Sequence, residues 1–184
     1  KASSNLDIFI MNNFNKNLGH GGSLVKLSRQ AFDNENLDYI LTLDSDSSIN
    51  QSDLFTFLSN KYHGVVFAKR SRFNDGLFRA MITLILEVII FFTSGKLWRD
   101  VNCPLRLYSD SSFNKIWKHI PEETSIPNVF STKEILKQKI SVKRVNIRES
   151  NLENNDGVTW NGKSKFTKYK KILIFSFKAF KEIL

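Results

Sequence analysis

A chain of 184 residues is long enough for one domain with a buried core. Its composition, 41% apolar and 24% charged with 16 Phe against 8 Gly and 3 Pro, excludes disorder and low complexity. The net charge of +9 (27 basic less 18 acidic side chains) favours a polyanionic partner without choosing among nucleic acid, anionic lipid and phosphorylated small molecules; the single Cys103 excludes an internal disulfide and a cysteine-based metal cluster.

The chain opens at Lys1, not at Met, and its first apolar run, Asp7 to Met11, follows almost at once. It reads as an excerpt of a longer chain, with no signal peptide at its start. Asp7–Met11 has the pattern of a buried strand. Gly19-His20-Gly21-Gly22 reads as a turn leading into a helix over Ser23 to Phe32, with Leu24, Leu27 and Ala31 on one face. A second strand is expected over Asp38–Leu43, a helix capped by Ser52 up to Leu58, and a third strand over Gly64–Ala68. Arg70 to Asp75 is a basic loop, and Gly76 to Thr93 a long apolar helix. Its apolar run, Ala80 to Phe92, is interrupted by Glu87 and falls short of the roughly 20 residues that span a bilayer.

Asp100 to Tyr108 reads as irregular and then extended. Helices are expected over Ser111–His119 and Thr132–Lys139, then a strand over Ser141–Ile147. Asn151–Gly162 is a polar loop, and Phe166–Leu184 a basic, aromatic-rich helix. Strands alternating with helices imply one α/β domain over residues 1–184 with a mainly parallel sheet, in which ligands bind beyond the carboxyl ends of the strands.

Four segments carry candidate chemistry. Leu41-Thr42-Leu43-Asp44-Ser45-Asp46 ends a buried strand in two carboxylates. Residues i and i+2 of extended chain point to the same side, so Asp44 and Asp46 can converge on one Mg²⁺ or Mn²⁺ ion; the alternative is an ordinary Asp/Ser turn. The glycines of Asn17-Leu18-Gly19-His20-Gly21-Gly22-Ser23 let backbone N–H groups approach a ligand, or simply make a tight turn. Alone, His20 reads as a turn or surface residue. Lys69 to Arg79 holds four cations in eleven residues, either a phosphate-binding loop or a solvated one. In Arg99-Asp100-Val101-Asn102-Cys103-Pro104-Leu105-Arg106-Leu107, Asp100 is either a general base or the partner of Arg99 or Arg106 in holding the loop.

In this order the segments resemble family 2 glycosyltransferases of the dolichyl- or polyprenyl-phosphate sugar-transferase type. Asn17, Gly19 and Gly21 match the family's Asn-x-Gly-x-Gly turn, and Asp44 and Asp46 its Asp-x-Asp motif. Arg70, Arg72, Gly76 and Arg79 match its Arg-rich loop and helix start. Asp100, Pro104 and Arg106 match its Asp followed by a Gly/Pro-Phe-Arg-like stretch, although Leu105 stands where Phe is common. Pro127-Asn128, Val142–Arg148 and Gly162-Lys163-Ser164-Lys165 look like its downstream segments.

The resemblance implies a GT-A fold and an inverting transfer of a sugar from a nucleoside-diphosphate sugar to an acceptor, a lipid phosphate or a saccharide. It assigns Asp44 and Asp46, assisted by Ser48, to Mg²⁺ or Mn²⁺, and Asp100 to catalysis. It sets Arg70, Arg72, Arg79 and Arg106, with Asn17, Gly19 and Gly21, at the substrates. The family begins with two further strands that make much of the base and ribose pocket, and neither precedes Asp7, so the fold is expected to be N-terminally incomplete.

The rival readings are a nucleic-acid-binding module and a non-catalytic, glycosyltransferase-like scaffold. The first is disfavoured because the Phe residues lie inside apolar periodic segments, not among exposed cations. The apolar helix from Gly76 and the basic C-terminal helix point to a protein peripheral to the cytoplasmic side of a membrane; alternatively, both helices simply cover the sheet.

Overall fold

A computed structural model describes residues 18–32, 37–44, 49–70, 77–147 and 165–183. The expected strand Asp7–Met11 and the loop Asn151–Gly162 lie outside these residues. The element order is α1 (Gly19–Phe32), β1 (Tyr39–Thr42), α2 (Gln51–Leu58), β2 (Val65–Arg70), α3 (Leu77–Ser94), β3 (Arg106–Ser109), α4 (Asp110–Trp117), α5 (Pro127–Lys137), β4 (Val142–Ile147) and α6 (Lys165–Ile183).

The chain is α/β with a mixed sheet, in which three of the four strands run in one direction, as a mainly parallel sheet requires, and β3 runs against them. Strand order is β1-β3-β2-β4, with β3 antiparallel to both of its neighbours and β2 parallel to β4. β1, β2 and β4 therefore share one direction, and β3 enters the sheet from the end at which they leave. The rule that alternating elements make parallel strands is broken at β3 alone, because a long irregular segment, residues 95–105, follows α3 and brings the chain back to that end. β3 is buried over all four residues because it is flanked on both sides.

Three helix starts also move. α1 starts at Gly19, so the glycine-rich turn is itself the first turn of the helix. α5 starts at Pro127, five residues before the expected Thr132, because the fixed φ of proline and its missing N–H suit the first helical turn. α2 starts two residues early, with Asn50 rather than Ser52 at the cap position and no side-chain cap.

The core lies between the sheet and its helices. Tyr108 of β3 meets Phe113 and Trp117 of α4 edge-on, with centroids 5.5 and 6.2 Å away, and these two rings stack at 5.4 Å. α3 packs on α5 and α6. Glu182 of α6 accepts bonds from Thr124 Oγ1 (2.8 Å), Ser125 N (3.1 Å) and Ser125 Oγ (2.8 Å), which pins the turn before α5 to the last helix. Among the described residues no helix is long and apolar enough to cross a membrane.

Candidate active site

The sheet register assembles the site. Thr42, Arg106, Phe67 and Arg144 are successive cross-strand partners, a row across all four strands with side chains on one face. The segment from Trp98 to Leu105 folds over this row. Trp98 meets Phe67 edge-on at 5.4 Å, and the Arg144 guanidinium lies 4.5 Å over the Trp98 ring. Thr42 Oγ1 donates to the Pro104 carbonyl (2.9 Å), and Cys103 Sγ to that of Ala68 (3.4 Å), so the loop is tied to the ends of both β1 and β2.

Asp44 stands two residues beyond Thr42, at the exit of β1, and is partly open to solvent. His20 Nε2, in the first turn of α1, lies 3.5 Å from its Oδ1. This contact brings the glycine-rich segment to the same end of the sheet. In the sequence nothing but its place in a glycine turn marks His20.

Arg70 closes β2, three residues beyond Phe67, and its backbone pairs with Ile147. At about 3.3 Å per residue the strand carries it roughly 10 Å past the Phe67–Arg106 row, towards the same end. Four chemistry-bearing segments thus converge: the first turn of α1, the exit of β1, the exit of β2 and the loop entering β3. Asn17, Asp46, Ser48 and Arg72, and the side chains of Arg70 and Arg79, lie outside the described residues.

Two residues expected at the substrates are engaged in packing. Arg106 is fully buried. Its Nε donates to Cys103 O (2.7 Å), one terminal nitrogen to Ser131 Oγ (3.0 Å), and the other to Val101 O (2.8 Å) and Thr132 Oγ1 (3.1 Å). The guanidinium also lies 4.4 Å over the Phe67 ring. Spent in this way, it holds the loop and has no face left for a substrate. Gly21 is buried against the backbone of Thr124 and Ser125, and a Cβ there would collide with the Thr124 carbonyl. Its missing side chain lets α1 approach that turn and does not make a ligand cradle. Gly19 is exposed at φ +69°, a left-handed conformation that suits glycine.

Asp100 also has positive φ, +57°. Its N–H donates to Glu87 Oε1 of α3 (2.7 Å), and its carbonyl accepts from Cys103 N (3.1 Å). Glu87 had shown in the sequence only as a charge interrupting an apolar run.

The Asp44 carboxylate is a hard oxygen donor that solvent reaches, which fits Mg²⁺ or Mn²⁺, and the nearby imidazole is compatible with Mn²⁺. No group of three His, Cys, Asp or Glu side chains forms a metal cluster among the described residues. No protein-family model matches the chain, and no curated protein matches it.

Proposed function

We propose that this chain is the catalytic domain of an inverting, metal-dependent glycosyltransferase of the GT-A type. It transfers a sugar from a nucleoside-diphosphate sugar to a polyprenyl or dolichyl phosphate at the cytoplasmic surface of a membrane. The observation that supports this reading is the gathering of the four segments at one end of the sheet. Their motifs lie far apart in the sequence, and the strand directions bring them to the carboxyl end of β1 and β2, where α/β sheets bind ligands.

In this reading Asp44 and Asp46 hold Mg²⁺ or Mn²⁺, assisted by Ser48. When bound, the ion supplies charge neutralisation to the departing nucleoside diphosphate. His20 holds the Asp44 carboxylate towards the site. Arg70, Arg72 and Arg79 bind phosphate, on the donor or the acceptor, through the planar fork of the guanidinium. The acceptor oxygen attacks the anomeric carbon from the face opposite the leaving diphosphate, which inverts that centre. A phosphate oxygen is already an anionic nucleophile at neutral pH, so Asp100 orients the acceptor and need not act as a strong base.

The test is turnover of UDP- and GDP-hexoses with Mn²⁺ and a short-chain prenyl phosphate. Asp46→Ala should lose metal-dependent turnover and keep the wild-type circular dichroism. Full activity in that variant, or in EDTA, would sink the proposal.

A further inference from the structure

We propose that Glu87 is a positioning residue whose carboxylate sets the direction in which Asp100 presents its side chain; the inference rests on reading Asp100 as a group that faces the acceptor. Between Ala80 and Ser94 the helix α3 carries one charged side chain, Glu87. A carboxylate on so apolar a helix loses hydration, and it needs a donor in return. The N–H of Asp100 is one such donor, at 2.7 Å.

That bond completes a set of restraints on the loop. The Asp100 carbonyl is held by Cys103 N, and the carbonyls of Val101 and Cys103 by Arg106. With its N–H and its C=O both bonded, the peptide planes on either side of Asp100 are fixed. Its Cα–Cβ bond then has one direction.

The turn by itself does not call for this arrangement. A left-handed residue is cheapest as glycine, and the same segment uses that solution at Gly95, with φ +67°. At position 100 the chain instead carries a carboxylate, which enters the left-handed region more readily than most side chains but less cheaply than glycine, together with a second carboxylate on α3 to secure it. The combination is costly for a turn and suited to aiming a functional group.

The experiment compares Glu87→Ala, Glu87→Gln and Asp100→Gly. Turnover is measured with GDP- and UDP-hexoses, Mn²⁺ and farnesyl phosphate, alongside hydrogen exchange at the Asp100 amide. Glu87→Ala should lower kcat roughly 10- to 100-fold, the scale of a small misplacement, with the donor KM unchanged. Glu87→Gln keeps an oxygen acceptor and should recover kcat to within about threefold of wild type. Asp100→Gly should melt no lower than wild type and yet lose turnover.

The Asp100 amide should exchange faster in Glu87→Ala and at the wild-type rate in Glu87→Gln. Equal losses in both Glu87 variants would overturn the proposal, as would full kcat in a folded Glu87→Ala. If the wild-type protein turns over none of these donors, the glycosyl-transfer reading fails by itself. The exchange data still decide in that case whether Glu87 fixes the Asp100 backbone: protection lost only in Glu87→Ala upholds that restraint, and protection unchanged in Glu87→Ala overturns the proposal.

Discussion

Truncating Arg106 would remove four buried hydrogen bonds, to Cys103 O, Val101 O, Ser131 Oγ and Thr132 Oγ1, although Val101 O keeps Thr132 Oγ1 as a second donor (2.8 Å). Each unmade bond to a charged group is worth about 1.5–3 kcal/mol, and the losses overlap, so Arg106→Ala should cost roughly 3–5 kcal/mol in urea unfolding. Arg106→Lys should recover little of this, because an ammonium group cannot reach acceptors spread around a planar fork. The residue types of this region were legible in the sequence; the directions of their side chains were not. An arginine after Pro104 looks the same whether it faces a phosphate or the core. What turns it inward is Ser131 and Thr132 on α5, twenty-five residues away, and no local pattern announces them. Tyr108, two residues on and on the same face, bonds the same Ser131 Oγ at 2.9 Å.

The elements themselves were readable wherever their apolar period was strong, as in β2 and α3. Reading failed where tertiary contact sets the boundary. Gly21 illustrates this: the sequence offered a ligand turn, and the fold uses the glycine to seat α1 on residues 124 and 125. The neighbours of a Cβ at this position are backbone atoms, held in turn by Glu182, so they cannot swing aside. Gly21→Ala should therefore lower stability by about 1–3 kcal/mol, as overpacking does. Gly19→Ala meets no such obstacle; it should cost only the left-handed penalty, about 1–2 kcal/mol. Thermal melts of the two variants separate steric from conformational cost. The antiparallel β3 was hidden for a related reason: strand direction depends on how residues 95–105 travel, and an irregular loop has no period to read.

At the scale of the whole molecule, α3 and α6 pack on each other and still leave apolar side chains outward. On α6 the exposed stripe is Tyr169, Leu173, Phe177 and Phe180, at i, i+4, i+8 and i+11, with Leu173 71% and Phe177 72% exposed. On α3 it is Leu84, Val88 and Phe91, at i, i+4 and i+7, and Phe92 beside it is 78% exposed. These outward residues are the part of both helices that does not cover the sheet, so core packing alone leaves them unexplained. The charges are sorted to match. Glu87 is turned to Asp100 and Glu182 to residues 124 and 125, while Lys170, Lys178 and Lys181 are exposed on α6. An apolar stripe flanked by lysines suits the headgroup layer of an anionic membrane, where the proposed acceptor resides. Each lysine near such a surface contributes about 1 kcal/mol, and each large apolar side chain up to about 1.5–3 kcal/mol if it is fully removed from water. Flotation with vesicles containing phosphatidylserine should therefore carry the protein upward at low salt. Leu173→Ser with Phe177→Ser should weaken the partition at least tenfold at any ionic strength. Lys170→Glu with Lys181→Glu should weaken it mainly at low salt, because screening already removes the lysine contribution at high salt. A protein that stays in the soluble fraction at low salt, and glycosylates a water-soluble acceptor as readily as a prenyl phosphate, would remove the membrane from the proposed function.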